Sequence, residues 1–382
     1  REHLRVQDRR SPRSSLQQRA RRMADAAKKR TPEEVTDEDL QVVLAKRQKT
    51  ESSALVASQA KNNALVRVTK DGIRRTSSLE APIMLCTGHA GEVLSVAFHP
   101  EGSVFASGSF DKHIFLWNVQ GECENYMLLA GHKNAVVDLH WTTDGTKIVS
   151  ASADKTVRVW DGQTGEQIKK LTEHSSFVNS VSSARRGPPL VVSGSDDGTA
   201  KLWDLRVKKC LQTMPEKYQV TSVAFSDDAS KIYSGGLSND ISVWDLRKNE
   251  VEMTLKGHTN TITGMKVSPD GSYLLSNGMD NTLRVWDMRP FAPEERCVKV
   301  FSGHIHTFEK NLLKCDWSPD GSKVTCGSGD RTVNIWETES RRLVYRLPGH
   351  KGSVNDAAFH PKEPIVASAG SDKSIYLGEI EG

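Results

Sequence analysis

Tryptophan sets the period of this chain. Trp117, Trp160, Trp203, Trp244, Trp286 and Trp336 each close an apolar run, at separations of 43, 43, 41, 42 and 50 residues. One further step of 42 lands on Gly378, where Ile375-Tyr376-Leu377 repeats the run without its Trp. Five of the six Trp are followed at once by Asp or Glu. A constant period of about 40–45 residues marks an array of small units that bury their faces on one another. Seven such units are predicted.

Two further marks keep the same register. A Gly-His or Glu-His pair opens six of the units, giving His89, His132, His174, His258, His304 and His350. An Asp stands six residues before each Trp position except the fourth: Asp111, Asp154, Asp197, Asp280, Asp330 and Asp372. Ser107, Ser150, Ser193, Ser276 and Ser368 lie four residues before that Asp, with Cys326 in the sixth unit. The fourth unit has Glu216 in place of the His and Ser238 in place of the Asp, while Trp244 remains.

Between His and Trp each unit alternates short apolar runs with turn chemistry, as in Val93–Phe98, His99-Pro100-Glu101-Gly102 and Val104–Ser107. Asp144-Gly145, Asp270-Gly271 and Asp320-Gly321 fill the same hairpin elsewhere. Four short strands per unit form a sheet with two apolar faces, and only a closed ring of sheets buries both. Ile83–Cys86 is a strand before the first Gly-His, and nothing after the seventh Trp position is long enough to be one. The two should pair and latch the ring.

Period, Gly-His and Trp-Asp marks together resemble the WD-repeat propeller family over residues 81–382. The resemblance implies an all-β, seven-bladed WD-repeat β-propeller (81–382) behind a largely disordered basic tail (1–80). It also implies that each Ser–His–Asp–Trp set is a hydrogen-bond network inside its blade, not a catalytic centre. An unsatisfied buried partner costs about 1–3 kcal/mol, so members of such a set should be lost together, as in the fourth unit. No phosphate-cradling Gly loop or hydrolase motif is present. His304-x-His306 has a metal-like spacing, but His304 already belongs to the repeat. No catalytic residue, cofactor or metal is expected.

Binding residues are sought where the sequence departs from its own repeat. Phe110, Leu237 and Met279 precede the turn Asp position, and Phe177 follows His174 by three residues; all four are expected on a partner-binding rim. Pro290–Arg296 lengthens one link and His306–Asn311 another, placing Phe291 and Phe308 in polar loops as candidate anchors. The stretches RPFAPEERCVKVFSGHIHTFEKNLLKCDWSPDGS, SSLEAPIMLCTGH and HSSFVNSVSSARRGP are similar to the family of WD-repeat subunits of the spliceosomal U-five small nuclear ribonucleoprotein. That resemblance implies a nuclear, non-enzymatic scaffold in pre-mRNA splicing, with the particle's large scaffold protein, helicase and GTPase as partners. An alternative rests on Trp-Asp-x-Arg at Trp203–Arg206, Trp244–Arg247 and Trp286–Arg289, a motif with which some WD-repeat proteins serve as substrate receptors of cullin-type ubiquitin ligases.

Charge divides the chain. Residues 1–80 hold 19 Lys/Arg against 11 Asp/Glu, so of the net +4 the tail carries +8 and the remainder −4. RNA contact is therefore expected to be indirect or through the tail. No apolar run is long enough to cross a bilayer, and six scattered cysteines read as reduced thiols. In the tail, Thr31-Pro32-Glu33-Glu34 starts a short helix running to about Lys49. Lys28–Arg30 and Lys46–Lys49 are candidate import signals. Met23-Ala24-Asp25 looks like a natural start, which leaves open whether residues 1–22 are native.

Overall fold

A computed structural model describes residues 67–68 and 74–380. The helix expected over Thr31–Lys49, both basic clusters and Met23 lie outside the described residues. Arg67–Val68 pairs antiparallel with Arg74–Arg75. From Ile83 onward the chain folds into seven four-stranded antiparallel sheets. Six are blades whose strands follow chain order from the channel outward, as in Val93–Phe98, Val104–Ser109, Ile114–Asn118 and Asn125–Leu129 of blade 1.

Alternation dictates this arrangement. Inner strands such as Val220–Phe225 and Val354–Phe359 are buried along their whole length, whereas outer strands such as Gln167–Leu171 are mostly exposed. Seven apolar clusters form, one between each pair of neighbouring blades. Ile114, Leu116 and Leu129 of blade 1, for example, meet Val136, Leu139 and Trp160 of blade 2. The core is therefore a ring of interfaces. In six inner strands the register shifts by one residue after the first pair, as between Val178 and Ser180. This bulge turns Asn179 and Asn355 toward the next blade, where their side-chain amides donate to Val220 O (2.9 Å) and Val93 O (2.8 Å).

Blade 7 is completed from the other end of the domain. Ile83–Thr87 is its outer strand, pairing with Ser374–Glu379 in the register Ile83↔Gly378 to Thr87↔Ser374. Residues ahead of Ala81 also pack on the ring. Leu79 is buried in the cluster between blades 7 and 1, and the Glu379 carboxylate accepts from Thr76 N (2.8 Å) and Ser77 N (3.1 Å).

Candidate protein-docking rim

Strand order places the loop into each inner strand and the turn between the second and third strands on one face of the ring. The repeated His sits in the first and the repeated Asp in the second. In blade 1, His89 Nδ1 meets Asp111 at 2.8 Å, His89 Nε2 meets Ser107 Oγ at 2.7 Å, and Trp117 Nε1 donates to Ser107 Oγ at 2.8 Å. A carboxylate only accepts, so Nδ1 carries the proton, Nε2 accepts from the Ser hydroxyl, and the Ser oxygen accepts from Trp. The same chain runs through His132–Asp154–Ser150–Trp160, His174–Asp197–Ser193–Trp203 and His258–Asp280–Ser276–Trp286. In blade 7, His350 joins Asp372 and Ser368, and Tyr376 packs edge-on against His350 where Trp is missing.

The surroundings hold the proton there. Burial lowers the pKa of His89, His132 and His174 against the pull of their carboxylates. Burial works to raise the Asp111 carboxyl, yet hydrogen bonds from His89 and two backbone amides outweigh it and leave it below the usual range. Each Asp also caps its own turn, as Asp154 does for Thr156 N (3.1 Å), and accepts from the amide after the His, Lys133 N (3.0 Å). These His, Ser and Asp side chains are spent on one another inside the blades.

Two blades depart from the expected network. In the fourth, the network is rewired rather than absent. Glu216 Oε1 accepts from Ser234 Oγ (2.6 Å) and Trp244 Nε1 (2.9 Å), so a carboxylate does the work of the imidazole and no turn Asp is needed. In the sixth, His304 and Asp330 do not bond; they stand 26 residues apart, where the bonded pairs stand 22 or 23 apart. His304 is 1% exposed with neither ring nitrogen partnered. Asp330 is engaged by Thr332 and Arg346, and Trp336 Nε1 turns to Ser302 O (3.1 Å). The cause is local: a weakly hydrogen-bonding thiol, Cys326, replaces the Ser hydroxyl, and the insertion lengthens the loop after the His. Burial, then His306, pushes the His304 pKa down to about 4.

The rim residues singled out by sequence lie as follows. Phe110 and Leu237 are about half exposed beside their turns, and Met279 is half-buried. Phe177 and Phe308, in loops entering blades 3 and 6, share that face, Phe308 at 92% exposure. Phe291 is fully exposed but belongs to the loop between the last two strands of blade 5, on the opposite face. The structure thus gathers five of the six and separates Phe291. Sequence reasoning missed Tyr218 and Ile305, which add exposed apolar surface to the same rim. Ile305 takes the position after the His, where other blades carry Ala90, Ser175 or Thr259, and that contrast was available.

The model for the WD domain, G-beta repeat, matches residues 80–118, 123–161, 165–204, 208–245, 249–287, 295–337 and 341–377, one match per blade. The human U5 small nuclear ribonucleoprotein 40 kDa protein is 59% identical over 323 residues, 85% of this chain and 90% of the relative. This chain belongs to the U5 40 kDa WD-repeat family. Its similarity extends to the Dictyostelium discoideum protein of the same name, 51% identical over 81% of this chain and 88% of that one. The Schizosaccharomyces pombe pre-mRNA-splicing factor cwf17 is 42% identical over 81% of this chain and 90% of its own length.

In this family member the channel holds a second polar system that the sequence did not announce. The bulges of the inner strands present the following residue inward, Asp138 and Asp356 among them, and Lys314 stands just ahead of the unbulged inner strand of blade 6. Asp138 accepts from Val181 N of the next blade (2.8 Å) and Asp356 from Val96 N (2.9 Å). Lys314 of blade 6 crosses the channel to the Asp138 carboxylate and to Val137 O (3.0 Å) in blade 2. Near the other face, Arg185 of blade 3 donates to Val267 O and Ser268 O of blade 5, each at 2.6 Å. The channel cavity, about 410 Å³, is therefore bridged from wall to wall. Among the described residues, no three His, Cys, Asp or Glu side chains converge as metal ligands.

Proposed function

We propose that the chain is a non-catalytic, nuclear scaffold of pre-mRNA splicing, docking proteins of a U5-type particle on the rim described above. The observation that carries the reading is 59% identity over most of the chain to a protein named for that particle. The geometry supports the scaffold part. The repeated polar side chains are buried and paired with each other, while Phe110, Phe177, Tyr218, Leu237, Ile305 and Phe308 expose apolar surface on one face. The proposed partners are the particle's large scaffold protein, its helicase and its GTPase.

The ubiquitin-ligase alternative has less support. Arg206 and Arg289 of the Trp-Asp-x-Arg motifs fold back on Asp204 and Asp287, at 2.6 and 2.5 Å, as ordinary surface pairs do. The test is recovery of co-purifying proteins from nuclear extract, using the full chain and its Phe177→Ser/Leu237→Ser variant. Splicing-particle proteins should come down with the wild type and be lost with the variant at unchanged melting temperature. A stoichiometric cullin adaptor, or no splicing protein with the wild type, overturns the reading.

A further inference from the structure

Two positions flank the turn carboxylate on the rim of each blade except the fourth, where Ser238 replaces it. One follows the His position, and its amide donates to the Asp, as Lys133 N does at 3.0 Å and Lys351 N at 2.8 Å. The other follows the Asp and adopts a positive φ, as at Lys112 (77°), Lys155 (70°), Arg331 (71°) and Lys373 (69°). In blades 1, 2 and 7 the His–Asp network thus fixes the backbone under both, whereas in blade 6 Ile305 N donates to Ser328 Oγ (3.0 Å). Six of the eight such positions in blades 6, 7, 1 and 2 are cationic: Arg331, Lys351, Lys373, Lys112, Lys133 and Lys155. Blades 3, 4 and 5 carry Ser175 and Gly198, Lys217 and Asn239, and Thr259 and Asn281 at the same places, one cation in six. The charge is concentrated on one arc and is not a property of the repeat.

All six side chains are exposed, and none has an ion pair or side-chain hydrogen bond among the described residues. On the opposite face Arg206, Arg289 and Arg186 are each paired with a carboxylate, and the exposed cations without an ion pair among the described residues, Lys208, Lys209, Arg247, Lys248, Arg341 and Arg342, are spread over blades 3, 4 and 6. Unpaired cations concentrated on one arc of an otherwise acidic ring call for an anionic partner. The apolar residues decide which kind. Phe110 lies within the arc, Ile305 and Phe308 at its blade 6 end, and Phe177 just past blade 2, while Leu237 is a blade further on, in blade 4. Bases need flat stacking platforms. Phe110, Phe177 and Phe308 are flat, but the aliphatic Ile305 beside them offers no platform and suits the side chains of a polypeptide.

We propose that the rim over blades 6, 7, 1 and 2 binds an acidic polypeptide segment bearing apolar anchors. Carboxylates lie along the cationic arc, and the anchors seat against Phe110, Phe177 and the Ile305–Phe308 loop. The proposal deepens the docking role given above and rests on it for the choice of face.

Selection of a displayed random-peptide library on the full-length chain tests it. Enriched peptides should combine Asp and Glu with aromatic or aliphatic residues. Their affinity should fall at least about tenfold in Lys133→Glu/Lys351→Glu/Lys373→Glu and fall as salt rises. Lys208→Glu/Lys209→Glu/Arg341→Glu, on the opposite face, serves as the charge control and should bind as wild type does. Enriched peptides without acidic bias, no enrichment, or equal binding to both variants overturns the proposal. Oligouridylate that binds more tightly than the enriched peptides, and is lost in the rim variant, also overturns it and assigns the arc to RNA. Failure of the splicing role is read separately, by absence of splicing proteins from the nuclear-extract purification even when acidic peptides are selected.

Discussion

Blades 2 and 6 share strand order and apolar packing, yet their polar interiors differ completely. In blade 2, Asp154 collects His132 (3.0 Å), Lys133 N (3.0 Å), Thr156 Oγ1 (2.6 Å) and Arg158 (3.4 Å) into one connected unit. In blade 6, His304 bonds to nothing, Cys326 Sγ donates to its neighbour Gly327 O (3.1 Å), and Trp336 finds a backbone carbonyl. Both blades nevertheless stack equally well, through Ile148 and Trp160 in one and Val324 and Trp336 in the other. Strand pairing and interface burial build a blade. The polar network fixes the loops above it, and where it is undone the rim carries an insertion and its most exposed Phe.

That contrast should be visible in stability. Asp154→Ala strands a buried imidazole, a backbone amide and a buried guanidinium together, and should cost about 3 kcal/mol. Asp330→Ala removes contacts to Thr332 and to a half-exposed Arg346, and should cost about 1 kcal/mol. Urea unfolding of both variants measures the gap; equal losses would show that blade 6 keeps a hidden network.

A pH series separates the blades in another way. The folded chain holds His304 neutral down to about 4, against an ordinary value of 6.5. As pH falls below 6.5 the unfolded chain takes up the proton first, so this contribution is full above 6.5 and is lost toward 4. Between pH 7 and about pH 4.5, wild type should lose about 2 kcal/mol more than His304→Phe. Parallel pH curves for the two proteins would refute the assignment of His304 as a buried, unpartnered imidazole.

Repair should be milder than damage. Cys326→Ser returns a hydroxyl to the position that bonds both His and Trp in four other blades, and should raise stability by about 1 kcal/mol. No gain would place the fault in the inserted loop and not in the thiol. The smallest effect is expected at Glu216→Gln, which keeps the acceptor for Ser234 and Trp244. It should change stability by less than about 0.5 kcal/mol. A larger loss would mean that the fourth blade needs the charge itself.

The fold was legible because period, alternation and turn chemistry all repeat seven times, and the missing outer strand of one end matched the extra strand of the other. The intact networks were legible for the same reason. Blade 6 was not, because spacing marks report which residues are present and not whether an insertion lets them meet. Nor were Lys314 and Arg185, whose partners lie 176 and 82–83 residues away across the channel and follow from ring geometry alone. Phe291 and Phe308 looked alike as aromatics in irregular loops. Only the direction of the preceding strand tells that they face opposite ways.

The pairing of Cys86 with Ile375 has a consequence for how the chain is made. The strand Ile83–Thr87 leaves the ribosome early, but its partner follows only after almost all the other strands. At ordinary elongation rates that interval is about half a minute. Joining ends so far apart in sequence carries a loop-closure entropy of about 5 kcal/mol, repaid only once blade 7 docks on blade 1. Throughout that time the nascent arc exposes an unpaired strand and two uncovered sheet faces, the form most open to pairing with another chain. Synthesis, more than the finished ring, is where this architecture is vulnerable.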